Sequence, residues 1–161
     1  MVLLVGFFSI SGMFFFLKIE EHNENTSAWV SVTQVHGEWQ IDVKGLFAFP
    51  FGLALTTDEA HLLVADQGNR RVAVLQAVDG TLVRALTGPL CEPVSVVVVP
   101  STGEVLVADG ISAHRVVRFR SIDDDTVIGN LGTGQGSGPT EFNIPLGLAV
   151  LDPHCSLVCI V

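Results

Sequence analysis

Basic residues are scarce, and unevenly so: the chain of 161 residues holds 8 Lys+Arg against 17 Asp+Glu, for a net charge of −9. From residue 45 onward there are six Arg, no Lys and twelve Asp+Glu, a balance of −6. Nucleic-acid binding rests on neutralising phosphates with Lys and Arg, so this sign argues against a nucleic-acid partner unless the cations segregate onto one face. Cysteine is also sparse. Cys91, Cys155 and Cys159 are too few and too irregularly spaced for a disulfide framework or a zinc ribbon. His154 beside Cys155 invites a metal reading. Four placed ligands are nevertheless not in evidence, and free Cys is commonly buried, so Cys155 and Cys159 are read as buried thiols. His22, His36, His61, His114 and His154 are scattered, and no nucleophile–base or carboxylate pair stands out. No catalytic, metal-binding or cofactor-binding residue is assigned, and no cofactor is implied. What is abundant is apolar: 48% of residues are hydrophobic and the mean hydropathy is +0.53, which excludes a disordered chain.

The most apolar stretch is residues 2–17, ending at Lys18. Three readings stay open for it. A secretory signal has an apolar core of this length, but the basic start and the small-residue cleavage site are not clear. A spanning helix wants about 20 apolar residues, and Gly6 and Gly12 weaken the helix. The third reading takes Val2–Phe8 and Met13–Ile19 as two strands of a degenerate blade, divided by Ser9–Gly12. Localisation follows this choice: secretory or membrane in the first two cases, cytoplasmic in the third. The Asn25-Thr26-Ser27 sequon matters only on the secretory route.

From Trp29 the pattern sharpens. Trp29–Val35 and Glu38–Val43 read as two strands about a His36-Gly37 turn. Gly37 and Gly80, Gly45 and Gly88, Pro50 and Pro93, and Asp66 and Asp109 all stand 43 residues apart. That period fits a four-stranded propeller blade of about 40–45 residues. One period reads as strands Gly52–Thr56, His61–Ala65, Arg71–Gln76 and Leu82–Thr87, joined by turn-forming residues. The next reads as Ser95–Val99, Glu104–Ala108, Arg115–Arg120 and Thr126–Asn130. Val96–Val99 is a continuous apolar run, as a strand covered on both faces requires. The Asp123–Asp125 triplet lacks the alternating ligands of a calcium loop and reads as a solvated turn. Gly132–Gly138 lacks the lysine and the following helix of a phosphate cradle and reads as a flexible connection between blades. A third period opens at Pro145, where Cys159-Ile160-Val161 stands in the place of Val-Ala-Asp.

The expected fold is all-β: a partial β-propeller of four-stranded antiparallel blades. It divides into an apolar segment 1–24, a half blade 25–48, a complete blade 49–92, a second blade 93–138 and a truncated third blade 139–161. A closed propeller usually has at least four blades. About three are accounted for here, so the remaining blades are missing or supplied by another chain.

Phe49-Pro50-Phe51-Gly52-Leu53-Ala54, Val64-Ala65-Asp66-Gln67-Gly68-Asn69-Arg70-Arg71-Val72 and Phe142-Asn143-Ile144-Pro145-Leu146-Gly147-Leu148-Ala149 resemble the NHL-repeat family of β-propellers. The resemblance covers roughly residues 29–155. The second unit departs from it, because Gly110–His114 replaces Gln67–Arg70 with one residue more and no Asn. The resemblance implies a repeat scaffold; some family members carry enzymatic propellers such as the amidating lyases, and others attach the repeats to ubiquitin-ligase or kinase modules. This sequence has neither RING-like Cys and His spacing nor a kinase motif.

The turn chemistry can be argued without the family. Asp66 ends one strand and Arg71 starts the next, as do Asp109 and Arg115, so these are expected to be structural pairs. Every blade needs such a turn, whereas a catalytic site is needed once. Antiparallel blades place loops 67–70, 110–114, 45–50, 88–93 and 132–140 at one end. That loop face is the expected binding surface for a protein or peptide, with Gln67, Asn69, Arg70, Ser112 and His114 as its candidates. The leading expectation is a non-enzymatic binding scaffold. The alternatives are a fragment of an extracellular or membrane-tethered hydrolase- or lyase-like propeller, with the membrane reached through residues 2–17, or a truncated product without independent function.

Overall fold

The computed structural model describes residues 7–10, 13–17, 29–35, 38–45, 47–150 and 157–160. The described residues form fourteen strands and a single 3-10 turn, Gln67–Asn69. Two four-stranded antiparallel meanders dominate: β5 (Pro50–Leu55), β6 (His61–Asp66), β7 (Arg71–Gln76) and β8 (Leu82–Leu86), then β9 (Pro93–Val98), β10 (Val105–Asp109), β11 (Arg115–Ser121) and β12 (Asp124–Leu131). β13 (Gly147–Val150) pairs antiparallel with β14 (Leu157–Ile160) and opens a third unit. The fold is a partial β-propeller.

Both faces of each meander are apolar, and the packing shows why. Leu63, Ala65, Val72, Val74 and Leu86 from one face of the first blade meet Val96, Val105, Val107, Val117 and Phe119 of the second in one buried cluster. Residues one step along the same strands, Val64, Ala73 and Leu75, point the other way and pack with Phe47, Leu53, Leu62 and Leu82. In the second blade Leu106 and Val116 likewise turn toward Leu148 and Val150 of β13. A strand alternates its side chains between faces, so a blade with a neighbour on each side needs apolar residues at every position. Each fully buried Val, Leu or Phe stabilises this arrangement by about 1.5–3 kcal/mol.

The first strands of successive units run side by side on the inner edge of the blades. A Cβ on Gly52 would lie 2.7 Å from the Ser95 Cα, so glycine is what lets β5 approach β9. The Leu148 N–H donates to Ser95 Oγ at 3.2 Å and ties β13 to β9. On the outer side the Asp125 carboxylate accepts from the Thr87 N–H at 2.8 Å, the Thr87 hydroxyl at 2.7 Å and the Gly88 N–H. The aspartate triplet is therefore more than a solvated turn. β12 begins at Asp124, and Asp125 links one blade to the next.

Several other expectations need correction. The connection 132–146 folds back on itself rather than hanging loose: the Thr133 N–H donates to the Thr140 carbonyl at 2.8 Å and the Phe142 N–H to that of Gly134 at 3.1 Å. Cys91 is exposed in the connector entering β9, with its N–H turned inward to Asp109. Cys155 lies outside the described residues. At the N-terminal end the hairpin pairs β1 (Phe7–Ile10) with β2 (Met13–Leu17), so Ser9 and Ile10 belong to a strand and not to the divider. β3 (Trp29–Val35) and β4 (Glu38–Gly45) pair antiparallel, but β2 joins β4 in parallel. This sheet, ordered β1-β2-β4-β3, is not a meander like the blades after it. Among the described residues no helix is long and apolar enough to cross a membrane.

Candidate functional site

The end of the propeller that carries the β6–β7 and β10–β11 turns is organised by two buried carboxylates. Asp66 closes β6 directly opposite Arg71 in the register, and Asp109 closes β10 opposite Arg115. Both aspartates are fully buried. Asp66 Oδ2 accepts from Arg71 Nε at 2.7 Å and from Asn69 Nδ2 at 2.8 Å, while Oδ1 accepts the Ala48 N–H at 2.8 Å. Asp109 repeats the pattern. Its Oδ1 takes the N–H groups of Cys91 at 3.0 Å and Glu92 at 2.7 Å, and its Oδ2 lies 3.1 Å from an Arg115 terminal nitrogen. Each carboxylate therefore clamps two pieces of chain: the turn that follows it and the connector that enters its own blade. A buried charge is tolerable when paired and hydrogen-bonded on this scale.

The connectors and turns are joined by backbone as well. The Gly68 N–H donates to the Ala48 carbonyl at 2.7 Å, and the Gln67 N–H to that of Phe49 at 3.2 Å. A Cβ at Gly68 would come within 2.7 Å of that of Ala48, so the turn fits only with glycine there. Arg70 follows the 3-10 turn in the left-handed conformation, φ 53, and His114 stands at the same point of the second blade with φ 49.

Three of the five candidate binding residues have their side chains committed within the chain. Asn69 bonds Asp66, the Ser112 hydroxyl donates to the Glu92 carboxylate, and His114 Nδ1 accepts the Ile144 N–H at 3.1 Å. The last of these ties the second blade's turn to the connector of the third. Arg70 is exposed and its guanidinium has no bonded partner among the described residues. Gln67 is half-buried.

Sequence reasoning missed the apolar component of this end. Eight large hydrophobic side chains are exposed among the described residues, and five of them lie here: Phe49, Phe51, Ile111, Ile144 and Leu146. Four flank Pro50, which starts β5, and Pro145, two residues before β13, one residue before and one after each. Phe49 and Ile144 also take positive φ, 51 and 58. With Arg70 and His114, four of the five positive-φ residues other than glycine are at this end. Large side chains held in strained backbone cluster where a surface has a task. The signal was available in the sequence as the apolar residues on either side of Pro50 and Pro145.

Residues 90–119, covering the Asp109 clamp and strands β9 to β11, match the family model described as NHL repeat. The chain carries an NHL repeat. It is 32% identical over 134 residues to a peptidyl-glycine alpha-amidating monooxygenase of Mus musculus, covering 73% of this chain. The Rattus norvegicus peptidylglycine alpha-amidating monooxygenase is 33% identical over 128 residues. The chain spans 13% of the length of these curated relatives. Among solved structures, Kuenenia stuttgartiensis hydrazine synthase aligns with a TM-score of 0.49 at 16% identity, over 63% of this chain and 26% of that one. An NHL repeat on propeller blades makes the chain a repeat scaffold, and the Asp–Arg clamp occurs in both complete blades.

Proposed function

We propose that this scaffold binds a protein or peptide through the loop face, and that its clamped Asp66–Arg71 and Asp109–Arg115 pairs hold that face in shape without taking part in chemistry. The observation that supports it is the gathering at one end of the blades of Phe49, Phe51, Ile111, Ile144 and Leu146, five of the eight large hydrophobic side chains exposed among the described residues. Exposed apolar side chains grouped beside a rigid frame mark interaction surfaces. Selection of a random peptide library on the purified chain tests this. Enriched peptides should lose binding in the Phe49→Ser/Leu146→Ser variant, whose unfolding transition stays where it was. Enriched peptides that tolerate the double variant would defeat the proposal.

The similarity to the amidating monooxygenases favours a second reading, a piece of a propeller enzyme. That chemistry would need metal-binding or acid–base groups on the inner edge of the blades. Metal analysis of the purified chain separates the two, since a stoichiometric bound metal would count against a pure scaffold.

A further inference from the structure

We infer that the loop face selects a peptide segment in which apolar side chains are flanked by an Asp or Glu. This rests on the loop-face proposal and specifies the partner's chemistry. Charge is distributed differently at the two ends of the blades. At the loop end every described carboxylate is committed: Asp66 and Asp109 to their clamps, Glu92 to Ser112, and Glu141 to the Gly138 N–H at 3.0 Å. Arg71 and Arg115 are spent on the same clamps. Among the described residues of this end Arg70 is the cation left over, exposed at the tip of its turn.

Its position is fixed by backbone. The Arg70 N–H donates to the Gln67 carbonyl at 3.0 Å, and the Gln67 N–H in turn donates to the carbonyl of Phe49. An uncompensated cation is thus held two hydrogen bonds from an exposed aromatic ring. Guanidinium–carboxylate bonds are the stronger, charge-assisted kind, so a carboxylate near the docked apolar side chains is the partner that Arg70 would select.

The chain's overall acidity does not oppose this. Asp58, Glu59, Asp79, Glu104, Asp123 and Asp124 lie in or beside the turns at the opposite ends of the strands, and Asp125 is committed to Thr87 and Gly88. A six-residue strand is about 20 Å long, and charges are screened over about 8 Å at physiological salt. Their repulsion therefore hardly reaches Arg70, but it disfavours an acidic segment docking at the far end.

The test uses three fluorescein-labelled peptides read by anisotropy: one alternating Leu and Phe with Asp, the same with Lys for Asp, and the same with Ser for Leu and Phe. The Asp peptide should bind at least about tenfold more tightly than either variant, a difference of about 1.4 kcal/mol. Arg70→Ala should abolish the preference over the Lys peptide, and Arg70→Glu should reverse it, with unfolding unchanged in both. Equal binding of the Asp and Lys peptides, or a preference that survives Arg70→Glu, overturns the inference. If the Lys peptide binds best and Phe49→Ser weakens it, the loop-face proposal stands and the carboxylate requirement falls. If no peptide responds to Phe49→Ser/Leu146→Ser, both fall together.

Discussion

Replacing Asp66 by Asn exchanges one oxygen for an NH2 group and should cost nearly as much as deleting the side chain. Both carboxylate oxygens face only donors: the Ala48 N–H on one side, Asn69 Nδ2 and Arg71 Nε on the other. An amide offers one acceptor, so its NH2 group must meet either the Ala48 N–H or the Arg71–Asn69 pair donor to donor. Breaking a buried ion pair from one side costs about 3–5 kcal/mol. Arg71 retains 19% of its side-chain exposure and can recover some hydration, which places the loss at the lower end of that range. Against a typical domain stability of about 5–15 kcal/mol, this is a large fraction. Urea denaturation followed by intrinsic fluorescence gives the number from the shift in midpoint at constant slope. Arg71→Ala should cost less, about 1.5–3 kcal/mol, because the carboxylate keeps its other two partners. An Asp66→Asn variant within about 1 kcal/mol of the parent would refute the clamp, since a single neutral hydrogen bond would then account for it. If Asp66→Asn does not fold, Arg71→Ala still decides the matter by its own midpoint.

Further predictions follow from the blade contacts. Gly52→Ala should lower stability by about 1–3 kcal/mol by forcing β5 off β9, whereas Gly103→Ala, with open space around it, should show only the strain of φ 74; thermal melts of the two separate sterics from backbone strain. Phe119→Ala should cost about 3–5 kcal/mol in urea, as a fully buried ring is lost from the cluster between blades. Hydrogen bonds from Thr56 and Ala60 hold the Asp58 carboxyl below its usual 3.8; those from Thr81 do so for Asp79, and those from Thr126, with Arg120 and Arg84 adding, for Asp124. A depressed folded value means the stabilisation is complete above 3.8 and is lost as the pH falls through the folded values, so the triple Asp→Asn variant should show a shallower fall in Tm on acidification. Asp125→Ala should cost about 0.5–1.5 kcal/mol per hydrogen bond to Thr87 and Gly88 and should speed amide exchange at those two residues.

What the sequence made legible was periodic. Asp66 and Asp109 recur at a fixed interval because each blade needs the same turn, and the strands of both blades begin and end within about two residues of where alternation and turn formers put them. The continuous apolar run Val96–Val99 read correctly as a strand covered on both faces, with Val96 and Val98 in one cluster and Val97 and Val99 in another. The contacts that escaped notice are those made between units. Asp125 reaching Thr87, and His114 receiving the Ile144 N–H, join residues about 30–40 positions apart with no counterpart in the other blade. The parallel partnership of β2 with β4 escaped for a related reason: a short apolar run shows that it wants burial and says nothing about which neighbour provides it.

The comparison of the two complete blades separates what the repeat holds constant from what it leaves free. The buried aspartate, the arginine that pairs with it and the left-handed residue just before that arginine occur in both, although the second turn is one residue longer. The side chain on the left-handed residue differs: Arg70 in one blade, His114 in the other. Adopting that backbone costs a residue with a Cβ about 1 kcal/mol or more, and glycine would avoid the cost. Keeping a long polar side chain there in both blades, despite the strain, means the clamp fixes a direction for whatever the position carries. The frame is therefore the common part of the NHL repeat, and the tip is where one blade differs from the next. In the first blade the tip is an unpaired cation beside an exposed aromatic; in the second it is a ligand for the chain's own next connector. The first blade is consequently the one whose tip is still available to a partner.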